Sequence, residues 1–186
     1  FDRKKKYAAG DKIYHVNRGK AVIFASIGTR PLTDGVRIVA SHIDAPRIDL
    51  KPNPLYEDCD IALFKTHYYG GIKKYQWTTI PLALHGVVVR KDGSTVDIVY
   101  GEDEREPKLY ISDLLPHLAK DQSSRTLSGG ILGEELNIIV GSRPVKNEKL
   151  GDKVKLNIMR ILNEKYGIVE EDFLSAELEA VPAFKA

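Results

Sequence analysis

Along the 186 residues only one long stretch repeats its apolar side chains at helical spacing. Leu150, Val154, Ile158, Ile161 and Leu162 form a single stripe within about Asn147 to Tyr166, and Gly167 is placed to stop it. Most other apolar residues come in short β-branched runs broken by turn residues, a pattern that folds as sheets. Residues 12–27 read as strand, turn, strand around Asn17-Arg18-Gly19-Lys20. Val36–Ala40 predicts a short buried strand, followed at once by Ser41-His42-Ile43-Asp44-Ala45-Pro46-Arg47. Further strands are expected at Ile61–Thr66, Ile80–Arg90, Thr95–Tyr100 and Asn137–Gly141, with Lys91-Asp92-Gly93-Ser94 as a tight turn. Leu174, Ala176, Leu178 and Ala180 alternate with polar neighbours, the mark of a half-buried strand. Ser112–Ala119 predicts a short helix capped by Ser112 and made uneven by Pro116. Pro52 and Pro54 around Asn53 punctuate the chain and mark a domain boundary.

Composition removes several classes of function. Apolar residues at 42% and charged residues at 29% describe a globular chain with material for a core. The formal charge of +2 gives no global pull towards nucleic acid or an anionic membrane. No apolar run approaches the roughly 20 residues of a spanning helix, and no signal-peptide core is present. The single Cys59 excludes an intramolecular disulfide framework and fits a reducing compartment, so a cytoplasmic protein is expected. The absence of an initiator Met before Phe-Asp-Arg-Lys-Lys-Lys reads as a piece of a longer protein.

Five histidines are available for chemistry: His15, His42, His67, His85 and His117. His42 has an acid two residues later, and a His-x-Asp pair at a strand end can put an imidazole on a metal while Asp44 holds its other ring nitrogen. The triplet alone is weak, because 26 acids in the chain make chance matches common. His15 and His85 sit in strand patterns. His67 and His117 fall in loop or helix-start positions, where a ligand, a substrate contact or a solvated side chain all fit. Glu134-Glu135 could be the paired carboxylates of a two-metal hydrolase, but its Gly-rich approach favours a solvated turn. The basic, aromatic segment Ile72–Trp77 reads as a rim or interface rather than a base-stacking platform. No Gly-rich phosphate loop and no G-x-S-x-G elbow is present.

Longer segments are more specific. Ser41-His42-Ile43-Asp44-Ala45-Pro46-Arg47-Ile48-Asp49-Leu50-Lys51-Pro52-Asn53-Pro54 resembles the first metal-binding segment of the aspartyl aminopeptidase family of zinc metallopeptidases, to which yeast vacuolar aminopeptidase I is related. Leu63–Ile72, with its Tyr-Gly-Gly, is similar to the bacterial branch, and Ile111–Leu118 and Ser175–Phe184 continue the likeness in the same order. The resemblance implies an α/β fold: part of a zinc-exopeptidase mixed-sheet catalytic domain, interrupted by a β-rich dimerisation domain with one long helix. It sets residues 1–53 as the N-terminal part of the catalytic domain, 54–172 as the inserted domain and 173–186 as a return strand. It also implies a metalloaminopeptidase that removes N-terminal residues from peptides with two zinc ions per active site. Those ions would polarise the scissile carbonyl and activate a bridging water, with a glutamate moving its proton. His42 would be a zinc ligand and Asp44 the group that orients it. His117 would be a zinc ligand or a substrate contact, reaching the active site of a neighbouring subunit. The family's bridging aspartate, Glu pair, further acidic ligand and final histidine match nothing in this chain, so the fragment alone would be inactive. Expected partners are peptide substrates and further copies in a dimer or multiple of dimers, with no nucleic acid and no membrane. A competing reading is a catalytically inactive subunit-interaction fragment.

Overall fold

The computed structural model describes residues 1–146 and 151–184. They divide into two compact units, Phe1–Asp44 and Ala45–Ala186.

The first unit is built on one antiparallel hairpin, β1 (Lys12–Asn17) and β2 (Ala21–Ser26), in register from Lys12↔Ser26 to Asn17↔Ala21. Arg18 and Gly19 turn the chain at φ +54° and +69°, and Lys20 N–H donates to the Asn17 carbonyl at 3.1 Å. The predicted strand–turn–strand is therefore present. Apart from the half-buried Ile13, its apolar side chains are exposed, however, with Tyr14 and Phe24 facing each other at 6.4 Å between ring centroids. Val36–Ala40 departs from expectation: it is exposed and belongs to no ladder. A β-branched run becomes a strand only beside a neighbour that satisfies its backbone groups, and among the described residues none pairs with it.

Among the described residues the second unit holds six strands: β3 (Arg47–Asp58), β4 (Ile61–Tyr69), β5 (Leu82–Val89), β6 (Thr95–Tyr100), β7 (Ile138–Gly141) and β8 (Ala176–Pro182). Their order is β6-β5-β8-β3-β4-β7, and neighbouring strands run antiparallel. Residues 109–111 tie the two sides of this sheet together. Leu109 exchanges backbone hydrogen bonds with Leu82 at 2.7 and 3.1 Å, and Ile139 N–H donates to Tyr110 at 2.8 Å. The run β5-β8-β3-β4-β7 thus curls towards a barrel with 109–111 as its closing staple. Ile48, Leu82, Leu84, Leu109, Ile111, Leu136 and Ile138 fill the inside.

The expected helix is present as α2 (Lys153–Tyr166); its predicted first residues, 147–150, lie outside the described residues. Val154 and Leu162 are buried, and the stripe packs against β3, β4 and β7. No side chain of α2's own sequence caps its start. Glu57 of β3 does so instead, its Oε2 accepting the Val154 and Lys155 N–H groups at 2.8 Å each. Gly167 ends the helix at φ +66°, as expected of a left-handed stop.

Two local expectations are corrected. Pro52 and Pro54, read as punctuation of the chain, lie inside β3: the ladder to β4 shifts register between Leu50 and Leu55, and Asn53 takes φ +50°. Proline, lacking an N–H, is accommodated in a strand where the ladder is interrupted, as at this bulge. Ser112–Ala119 is not a helix but an extended segment and a turn at 116–118, followed by the single helical turn α1 (Lys120–Ser123). Pro116 offers no N–H and steers Leu115 away from helical backbone angles.

β8 enters between β5 and β3, along seven residue pairs with β5 but only two with β3, Ile48↔Ala180 and Asp49↔Glu179. Arg47 reinforces that short seam. Its Nε lies 2.8 Å from Asp49 and 2.6 Å from Glu179, while its guanidinium stacks 3.9 Å over the Tyr69 ring. On the other side of β8, Gly86 approaches so closely that a Cβ would meet the Glu177 carbonyl oxygen at 2.0 Å.

Candidate metal centre

His42 and Asp44 are the two site residues that the structure brings together. His42 Nδ1 lies 2.6 Å from Asp44 Oδ1. An ionised carboxylate only accepts, so Nδ1 carries the proton and Nε2 of the neutral ring keeps its lone pair outward. The His42 side chain is 88% exposed, which separates it from a packed core histidine. It follows the extended, exposed Val36–Ala40 segment rather than a buried strand.

Zinc at a catalytic site takes three protein ligands and a water. Among the described residues no group of three or more His, Cys, Asp or Glu side chains converges to hold a metal. The donor set among the described residues therefore fits one ligand position with its orienting carboxylate, not a complete zinc site.

His117 lies in the second unit, exposed on the 116–118 turn, and makes no hydrogen bond or ion pair among the described residues. The remaining histidines have local tasks. His85 Nε2 is 2.8 Å from Glu102, His67 of β4 stacks on Tyr68 at 5.4 Å, and His15 lies in β1. Glu134 and Glu135 stand on a turn, each already engaged. Lys51 Nζ lies 2.9 Å from Glu134 and holds its carboxyl below the ordinary carboxylate range. Arg125 donates to Glu135 at 3.1 Å, and Leu132 N–H donates to the same carboxylate at 2.7 Å. Sequence reasoning did not single out Arg47, Asp49 and Glu179. Their only signal is that charged residues on adjacent strands share one face, which emerges once the β3–β8 register is known.

A family model described as aminopeptidase I zinc metalloprotease (M18) matches residues 2–186. The "Probable M18 family aminopeptidase 1" of Clostridium acetobutylicum is 59% identical over 177 residues, covering 95% of this chain and 38% of that protein. The crystal structure of an M18-family aminopeptidase from Thermotoga maritima superposes with a TM-score of 0.85 at 49% identity, over 95% of this chain and 38% of that one. A more distant likeness of fold, at 19% identity and a TM-score of 0.58, is to the mApe1 dodecamer of S. cerevisiae, over 95% of this chain and 38% of that one. The chain thus spans about two-fifths of the length of these relatives, and nearly all of it lies within the match. With its segments aligned from one end to the other, the chain belongs to the aminopeptidase I zinc metalloprotease (M18) family.

Proposed function

We propose that this chain is part of a zinc-dependent aminopeptidase that removes N-terminal residues from peptides. The observation that carries the reading is the 2.6 Å contact between His42 Nδ1 and Asp44, which leaves Nε2 free as a metal ligand. In this reading His42 is a zinc ligand and Asp44 the residue that fixes its tautomer. The other donors, and the general base, come from protein beyond these 186 residues. His117 serves as a ligand or a substrate contact at a neighbouring subunit's site, supported by its exposure on a turn with both ring nitrogens uncommitted. The complete site holds two zinc ions.

The domain division read from sequence goes with this function. Residues 1–53 belong to a mixed-sheet catalytic domain, 54–172 to an inserted dimerisation domain and 173–186 to a return strand. Residues on both sides of these boundaries, Ile48 and Ala180 with Phe64 and Leu84, share the core of the second unit, Ala45–Ala186. The assembly is a homo-oligomer built from dimers, in keeping with the dodecamer among the structures of like fold. Its place is the cytoplasm, in keeping with one unpaired cysteine, Cys59. No helix among the described residues is long and apolar enough to cross a membrane.

The lack of a three-donor cluster among the described residues goes with a second reading, a chain that acts only in subunit association. Zinc content and peptide hydrolysis decide between them, measured on the 186-residue chain and on a protein of the relatives' full length. Zinc and turnover in the long form, both abolished by His42→Ala, support the aminopeptidase. A long form without zinc or turnover leaves the association reading.

A further inference from the structure

Only Ala45 and Pro46 separate Asp44 from Arg47, the first residue of β3. Both are exposed and neither belongs to a strand, yet the link is stiff, because Pro46 fixes its own φ and disfavours helical angles at Ala45. Beside Arg47, Ile48 is fully buried. The backbone that follows the His42–Asp44 pair is therefore first held in place at Arg47 and Ile48.

That anchorage is narrow. β3 meets β8 along two residue pairs, and one of them sets Asp49 directly opposite Glu179. Two carboxylates facing each other across an antiparallel ladder repel. Arg47 reverses the sign of the contact, with its Nε 2.8 Å from Asp49 and 2.6 Å from Glu179 and its guanidinium 3.9 Å over the Tyr69 ring of β4. One side chain, only 22% exposed, thus ties β8, β3 and β4 together where the chain arrives from the ligand pair.

We infer that Arg47 is a positioning residue for the metal site: by fixing the start of β3 it limits the range of positions over which His42 can present Nε2 to a metal. The inference rests on the aminopeptidase reading, in which His42 is a zinc ligand. A ligand side chain has to be held within about 0.5 Å of its productive position, and a stiff two-residue link passes on whatever freedom its anchor has. The influence of Arg47 runs through the backbone of Ala45 and Pro46, which sets it apart from Asp44, whose carboxylate meets the imidazole directly.

The test uses a protein of the relatives' full length, with zinc affinity read by competition against a chromophoric chelator and amide exchange read by mass spectrometry. Arg47→Met keeps the aliphatic stem and loses the cation. It is expected to weaken the zinc that depends on His42 by about tenfold, the low end for groups that orient a ligand, and to speed exchange in residues 41–50 while β6 keeps the wild-type rate. Arg47→Lys restores the charge without the planar stack and should return the affinity to within about threefold of wild type. Glu179→Gln leaves Arg47 its Asp49 partner, so it keeps the fold, and should weaken zinc by about two- to threefold. Wild-type zinc affinity in Arg47→Met overturns the proposal, as it does in Glu179→Gln should Arg47→Met not fold. An equal loss in Arg47→Lys and Arg47→Met also overturns it. His42→Ala separates the proposal from the reading beneath it. If that variant keeps all its zinc, the aminopeptidase assignment of His42 falls; if it loses zinc and Arg47→Met does not, only the role of Arg47 falls.

Discussion

Glu57 offers a direct measure of how much of α2 depends on a residue nearly a hundred positions earlier. Its carboxylate accepts the Val154 and Lys155 N–H groups at 2.8 Å each, at a helix start where Asp152 itself takes φ +48° and provides no side-chain cap. Replacing a capping acceptor costs about 0.5–2 kcal/mol. The negative charge at the positive end of the helix dipole adds about 0.3–1 kcal/mol. Glu57→Ala, which loses both, should therefore destabilise the chain by about 1–3 kcal/mol. Glu57→Gln keeps an oxygen in place and should lose only the charge contribution, about 0.3–1 kcal/mol. With a urea dependence of about 2 kcal/mol per molar, the alanine variant should unfold at a midpoint lower by about 0.5–1.5 M. Amide exchange should report the same event locally, with the Val154 and Lys155 protons exchanging faster and those of β5 unchanged. The reasoning fails if the alanine midpoint stays at the wild-type value. It also fails if glutamine costs as much as alanine, since the retained oxygen would then count for nothing.

Other outcomes follow from single contacts. The buried Thr66 hydroxyl donates to the Leu136 carbonyl at 2.5 Å, so Thr66→Val should cost about 1–3 kcal/mol in urea unfolding by orphaning that oxygen, whereas Thr66→Ser should retain the bond. Burial pushes the Glu106 carboxyl up, but the Lys165 ammonium and the Gly101 N–H outweigh it and hold the group below its ordinary range. The folded state thus binds this proton more weakly than the unfolded chain, and the stability present above the ordinary range is lost as pH falls through the depressed value. Unfolding measured against pH should accordingly fall less steeply in acid for Glu106→Gln than for the wild type, and parallel curves would refute the assignment. For the proposed shared site, full-length His42→Ala and His117→Ala proteins, each inactive alone, should regain activity when their subunits exchange, because a mixed pair holds one site with both histidines. Verified exchange without activity would confine His117 to its own subunit.

How much of this molecule is legible in its residues differs from element to element. The α2 stripe, its stop at Gly167 and the β5–β6 hairpin turn at Lys91–Ser94 are encoded by neighbours within a few positions, and all three appear as read. The His42–Asp44 contact is of the same kind, since two residues with a single position between them need no fold to meet. Val36–Ala40 and Pro52–Pro54 show the opposite. Val36–Ala40 has strand composition and, among the described residues, no strand partner. Pro52–Pro54 has the composition of a break yet sits within β3, because a bulge lets the ladder resume after it. A strand is a property of a pair, and one run of residues cannot specify the other.

Periodicity, turn chemistry and the character of the His-x-Asp segment were therefore determined by the sequence itself, because each rests on backbone geometry and bonds that close locally. The insertion of β8 between β5 and β3, the stapling of β5 to β7 by residues 109–111, the Arg47 seam and the Glu57 cap were decided only by the tertiary structure. Each joins groups far apart along the chain. The energy that selects such a pairing comes from burying a shared core and satisfying distant backbone groups, and no local pattern carries that information.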